Sequence, residues 1–94
     1  MPSRYKDKRT EQLARRQHVA AFSAIAKQAL RKLDRIITAQ NLQDLRSPPS
    51  NRLEKLRGDR DGQWSIRINN QWRICFDWDE YQNEPYNIEI TDYH

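Results

Sequence analysis

From Trp64 to Phe76 apolar and polar side chains alternate in two runs, and no other stretch constrains the fold as much. Trp64, Ile66 and Ile68 alternate with Ser65, Arg67 and Asn69; after Asn70 and Gln71, Trp72, Ile74 and Phe76 alternate with Arg73, Cys75 and Asp77. Period-2 alternation describes two strands, each with one buried and one exposed face. Loop parity decides how they pair. A two-residue turn at Asn69 and Asn70 would set Ile66 opposite Arg73 and mix apolar with charged side chains. An odd loop, Asn69 to Gln71, sets Ile68 opposite Trp72, Ile66 opposite Ile74 and Trp64 opposite Phe76. A slip of one residue turns every side chain to the wrong face, so the odd loop is expected. Arg67 and Arg73 then share the other face. Like charges opposed across strands destabilise the pair unless an anion sits between them.

A chain of 94 residues predicts a single domain, residues 1–94, with room for one core. Only 36% of the residues are hydrophobic, so the three Trp residues must supply much of the buried area. One cysteine, Cys75, leaves no internal disulfide, suits a reducing cytosol, and in mid-strand behaves as a small hydrophobe. No apolar run approaches the roughly 18 residues of a membrane span, and the N-terminus is too polar for a signal peptide. A cytoplasmic location without membrane contact is therefore expected. The net charge of +4 is unevenly spread: residues 1–62 hold 15 Lys/Arg against 7 Asp/Glu, and residues 63–94 hold 2 against 6. Such asymmetry suggests a polyanionic partner, nucleic acid first, against the plainer alternative of a solvated helix surface.

In chain order, Ser3 to Lys6 is a weak candidate for an edge strand, and Asp7 to about Arg16 reads as a short polar helix. His18 to Ala39 is the one strong helix expected: Phe22, Ile25, Ala26, Ala29, Leu30, Leu33, Ile36 and Ile37 form a single apolar stripe. His18 falls near its start, as a solvated terminal residue. Asn41 to Leu45 adds a helical turn, after which Pro48 and Pro49 are expected to end all helix. Arg52 to Arg57 is a candidate strand, and Gly58 to Gly62 is the turn into the hairpin, with both glycines where positive φ is needed. Asp79 to Pro85 reads as a polar loop. Tyr86 to Tyr93 is the last strand, with Ile88 and Ile90 inward and Glu89, Thr91 and Tyr93 on the other face. The expected class is α+β: two N-terminal helices packed on one face of a small, twisted, mainly antiparallel sheet, the other face concave and open.

No zinc spacing, calcium loop, phosphate-binding glycine loop or Cys–His nucleophile pair is present in the sequence, and no cofactor is expected. What remains is Lys55, Arg57, Arg67, Arg73, Tyr93 and His94, read as one set on a sheet face. Metal-free RNA cleavage uses such groups. A base takes the 2′-hydroxyl proton, cations stabilise the phosphorane, and an acid protonates the leaving 5′-oxygen. Arginine suits the phosphate because its planar fork binds two oxygens and stays charged. An aromatic such as Tyr93 can stack on an unpaired base. Solvated arginines and an ordinary tail are the alternative.

The stretch Gly58 to Phe76 reads G-x-R-x-G-x-W-S-I-R-x-N-x-Q-W-R-x-C-F, and the chain ends Asp92-Tyr93-His94. With Leu45-Arg-Ser-Pro-Pro49 and Asn51-Arg-Leu53, this pattern resembles the HigB "killer protein" branch of the RelE/ParE toxin superfamily. The resemblance is strong over about the last 45 residues and elsewhere lies in layout. It implies a RelE-like fold and a bacterial type II toxin–antitoxin system. The toxin would be a ribosome-dependent, metal-independent endonuclease that cuts mRNA in the decoding site of the small subunit. A helix-turn-helix antitoxin would neutralise it, and the complex would reach operator DNA through the antitoxin. Matching the motif, Arg73 falls on the arginine that holds the scissile phosphate, Arg57 on a basic position often occupied by Lys, and Asp92, Tyr93 and His94 on the terminal acid, aromatic and histidine.

Two positions depart from the family pattern. Glu54 stands where related members carry His, and Asn69 where some carry Arg. The resemblance thus leaves the proton acceptor open among Glu54, His94 and several weak groups. Expected catalytic positions are Arg73, Arg57, His94, Tyr93, Asp92 and Glu54; expected RNA-binding positions are Lys55, Arg67, Asn69 and Arg52. The alternatives are a ParE-like toxin of the same fold that binds DNA gyrase without cutting RNA, and a plain nucleic-acid-binding module.

Overall fold

Val19, Phe22 and Ile25 are spaced three apart, and the backbone winds to match. In the computed structural model, which describes residues 4–92, Ala20–Phe22 is a short 3-10 helix, and the α-helix proper (α2) spans Ala26–Thr38. The continuous helix expected from His18 is thus broken. A 3-10 helix repeats every three residues, so a spacing of three faces the core as well in that winding as in an α-helix. All three residues are buried. From Ile25 on the spacing mixes fours and a three, through Ala29, Leu33 and Ile36, and the α period takes over. His18 lies in the preceding connection and is exposed.

The first helix, α1 (Lys8–Ala14), is as short and polar as its sequence suggests. Two residues past its end, Arg16 is a non-glycine in the left-handed region (φ 66°). The Arg16 amide donates to the Leu13 carbonyl and the Gln17 amide to the Gln12 carbonyl, both at 2.9 Å, which closes the free carbonyls of the last turn. Docking makes the helix stable. Leu13 enters the core, and the buried Thr10 hydroxyl accepts from the Ile90 amide at 3.1 Å.

Four strands form one antiparallel sheet in the order β1 (Glu54–Lys55), β2 (Trp64–Arg67), β3 (Arg73–Asp79), β4 (Glu84–Thr91). The hairpin register is the one parity demands: Trp64 faces Phe76, Ile66 faces Ile74, and the Ile68 amide donates to the Trp72 carbonyl at 2.9 Å. Ile66, Ile74, Phe76, Ile88 and Ile90 point to the helices and meet Leu13, Phe22, Ala29, Leu33, Ile36 and Leu45 in one core. Each such Ile, Leu or Phe contributes about 1.5–3 kcal/mol relative to exposure. This is the α+β architecture expected, with the helices on one face.

Several boundaries differ from those expected. The strand read at Arg52–Arg57 shrinks to two residues, because Arg52 takes left-handed geometry (φ 48°) and cannot continue a strand. Pro48 and Pro49 do not end all helix. A 3-10 turn spans Pro49–Asn51 with proline at its first position, where a missing N–H costs nothing. The loop read at Asp79–Pro85 narrows to residues 80–83, and Pro85 sits inside β4 opposite Trp78. A proline is tolerated there because β4 lies at the sheet edge. The N-terminal stretch meets that edge in a one-residue parallel bridge, Tyr5 to Ile88, in which the Lys6 amide donates to the Ile88 carbonyl and the Ile88 amide to the Arg4 carbonyl, both at 2.9 Å; Ser3 lies outside the described residues.

Candidate functional site

On the face away from the helices, pairing sets side chains in two rows. Arg67, Arg73 and Thr91 stand opposite one another across β2, β3 and β4; Glu54, Ser65, Cys75 and Glu89 form the next row across all four strands. The repulsion between Arg67 and Arg73 is relieved by turning them apart. Arg67 donates to the side-chain oxygen of Asn70 in the hairpin loop. Arg73 leans the other way: Nε donates to Ser65 Oγ at 3.0 Å, and Nη2 donates to the Arg52 carbonyl at 3.0 Å and faces Glu54 Oε1 at 3.3 Å. Among the described residues Nη1 has no partner, so the guanidinium is held along one side and presents the other. That geometry suits an incoming phosphate oxygen.

The remaining sequence candidates divide. Glu54 lies against Arg73 with its side chain 56% exposed. Arg52 is exposed, and its carbonyl rather than its guanidinium meets Arg73. Asp92 follows Thr91 at the end of β4 and accepts from Gln71 Nε2 at 3.4 Å. Tyr93 and His94 lie outside the described residues. Arg57 is exposed just before the 3-10 turn Gly58–Arg60 and makes no ion pair among the described residues. Lys55 does not share the face of Arg73. It pairs with Trp64, and its Nζ lies 5.8 Å from that ring's centroid, because adjacent residues of a strand point to opposite faces. Asn69 serves the turn first: its Oδ1 accepts from the amides of Gln71 at 2.8 Å and Trp72 at 2.7 Å.

Three features escape sequence reasoning. Ser65, fully buried, is the hydroxyl that orients Arg73. The hairpin register alone puts it diagonal to Arg73, so it was within reach. Arg60 reaches across from the glycine turn to Glu89 at 3.0 Å, and Lys6 meets the same carboxylate at 3.5 Å. These groups cluster near Cys75, whose thiol is pushed up to about 11 chiefly by burial, with Glu89 adding to the shift and Arg60, Arg73 and Lys6 opposing it. No sequence signal predicts that cluster. The third is a cleft of about 350 Å³ between α2 and the hairpin loop, lined by Gln28, Arg31, Lys32, Ser50, Arg67, Ile68 and Asn69. Lys32 is held below its usual pKa, first by burial and then by Arg35 and Arg31.

Among the described residues no three His, Cys, Asp or Glu side chains gather as a metal site requires, and no helix is long and apolar enough to cross a membrane.

Comparison with known proteins completes the picture. Residues 3–94 match the family model of the RelE-like toxin of type II toxin-antitoxin system HigB. The chain is 41% identical over 80 residues to "Toxin HigB-1" of Vibrio cholerae serotype O1, covering 83% of this chain and 84% of that protein. It is 40% identical over 77 residues to an uncharacterized protein of Haemophilus influenzae, covering 82% and 73%. It is also 40% identical over 43 residues to "Endoribonuclease HigB" of Proteus vulgaris, covering 46% and 45%. The two-row sheet face, with its oriented arginine, therefore stands on a chain that belongs to the HigB-like family of RelE-like toxins of type II toxin–antitoxin systems.

Proposed function

We propose that the chain is a ribosome-dependent mRNA endonuclease acting without a cofactor in the cytoplasm. A helix-turn-helix antitoxin would hold it inactive and carry the complex to operator DNA. The observation that carries the chemistry is Arg73, fixed along one side by Ser65 and Arg52 and open at Nη1. The similarity to "Endoribonuclease HigB" of Proteus vulgaris supports the same activity.

In this reading Arg73 binds the scissile phosphate. Glu54, 3.3 Å from Arg73, accepts the proton of the neighbouring 2′-hydroxyl. The 2′-oxygen then bonds to phosphorus, the bond from phosphorus to the 5′-oxygen breaks, and the leaving oxygen takes a proton from His94. Arg73 stabilises the charge that builds on the equatorial oxygens, with Arg57 as a second cation. Asp92 and Tyr93 orient and stack the nucleotide; Arg52, Arg67 and Asn69 bind the flanking strand.

The test is induction of the chain in growing cells with transcript 5′ ends mapped. Cuts in phase with codons are expected, and Arg73→Ala should abolish both cutting and growth arrest while antitoxin binding persists. Growth arrest with a DNA-damage response and no cuts would instead favour action on gyrase. Full toxicity of Arg73→Ala would sink the assignment.

A further inference from the structure

The cleft beside the hairpin loop is lined by three cations and no acid. Arg31 and Lys32 come from α2, Arg67 from the end of β2, with Gln28, Ser50 and Asn69 between them. A volume of about 350 Å³ sits at the lower end of the range for ligand clefts. Burial, Arg35 and Arg31 all disfavour the charged form of Lys32, a cost that a bound anion would relieve.

The lining is also positioned. Lys32 Nζ donates to the side-chain oxygen of Asn51, which is fully buried. Asn51 in turn donates through Nδ2 to the carbonyls of Leu45 at 3.2 Å and Ser47 at 3.1 Å. The lysine is thereby aimed, with two of its three protons left to donate. Asn69 spends its oxygen on the loop amides, which leaves its amide nitrogen as the donor for a ligand. Arg31 is exposed and has no partner among the described residues.

The cleft adjoins the Arg73 site along one segment. Ser50 lines the cleft, the Arg52 carbonyl and Glu54 carboxylate hold Arg73, and Arg67 stands opposite Arg73 in the strand pairing while lining the cleft. Arg67 is thus the cation that the strand pairing sets beside Arg73 on the way to the cleft. We infer that this cleft is a second phosphodiester subsite, in which Arg31, Lys32 and Arg67 hold the backbone of the same RNA strand next to the phosphate on Arg73. The inference deepens the nuclease reading and rests on it for the identity of the strand.

Binding of a short, single-stranded 2′-O-methyl RNA, which cannot be cut, tests it by fluorescence anisotropy over a range of salt. Each lost phosphate contact lowers the slope of log affinity against log salt by about 0.7 for a single strand. Arg31→Gln should reduce the slope by that amount and weaken binding several-fold at low salt. Lys8→Gln removes the same charge from an exposed residue of α1 outside the cleft, and should leave the slope unchanged. Equal slopes for the two variants, an Arg31→Gln slope equal to that of the unmodified chain, or no binding by the unmodified chain would each overturn the subsite. Cleavage by Arg73→Ala is read separately. If that variant still cuts RNA while the Arg31 and Lys8 contrast holds, the assignment of Arg73 falls and the cleft stands; the reverse pattern drops the cleft and keeps the nuclease.

Discussion

Three acceptors of different kinds hold Arg73: a buried hydroxyl, a backbone carbonyl and an exposed carboxylate. The first two fix its direction; the third is an anion where the reading above needs a phosphate. Because the Glu54 side chain is 56% exposed, its pair with Arg73 is screened and worth at most about 1 kcal/mol. Glu54→Gln should therefore change the urea midpoint little, yet tighten binding of uncleavable RNA by removing a competing anion. If Glu54 is also the proton acceptor, cleavage slows as binding tightens. Faster cleavage in that variant would leave Glu54 only as a competitor and return the acceptor role to His94. Cys75 makes a different residue-level case. Its thiol titrates near 11 in the folded chain against an ordinary value of 9.0, chiefly because it is buried. Above pH 9 the unfolded chain gives up a proton that the folded chain keeps, so stability falls as pH rises from about 9 to about 11. Other groups titrate there too, and Cys75→Ala isolates the thiol. That variant starts less stable at pH 7 and should lose less between pH 9 and pH 10.5 in urea melts.

At the scale of elements, what the sequence revealed depended on whether a pattern had one solution. Alternation through Trp64–Phe76 has only one register that keeps apolar residues together, so the hairpin and the shared face of Arg67 and Arg73 were legible. The spacing Val19, Phe22, Ile25 suits two windings, so it does not fix where α2 starts. The two-residue β1 has no alternation of its own, so the meeting of Glu54 with Arg73 was not legible, although Glu54 stands out as a departure from the family pattern. Nor was Asn51, which no periodic signal marks. It joins the Leu45 and Ser47 carbonyls to Lys32, tying the 3-10 turn Pro49–Asn51 to α2. Asn51→Ala strands the Leu45 carbonyl in a buried setting, which costs about 1–3 kcal/mol, and removes a part-buried bond to the Ser47 carbonyl. The variant should melt at distinctly lower urea and, with Lys32 released from its anchor, bind RNA more weakly. Unchanged stability would show that the turn is held by other contacts.

The whole molecule divides its work between the two faces of one sheet. Helices cover one face with a continuous apolar layer, while the other face carries ion pairs that orient side chains. Phe22 shows what the covered face contributes. It is fully buried, meets Trp72 edge-on with ring centroids 5.5 Å apart, and carries the Arg9 guanidinium 5.2 Å above its ring. One side chain thus locks α1, the 3-10 helix and the hairpin together. Phe→Ala in such a setting costs about 3–5 kcal/mol. A chain of this size is typically stable by only about 5–14 kcal/mol, so Phe22→Ala should leave it near the edge of unfolding. Arg73→Ala removes the pair with the exposed Glu54 and the donors to Ser65 and the Arg52 carbonyl, and should cost about 1–2 kcal/mol. The two variants should both lack toxicity in cells for opposite reasons. Phe22→Ala fails because folded protein is scarce, with a lowered urea midpoint and poor recovery with its antitoxin. Arg73→Ala fails while folded and antitoxin-bound. Equal loss of stability in both would mean that the open face supports the fold as well, and that toxicity alone cannot identify the residues that act on RNA.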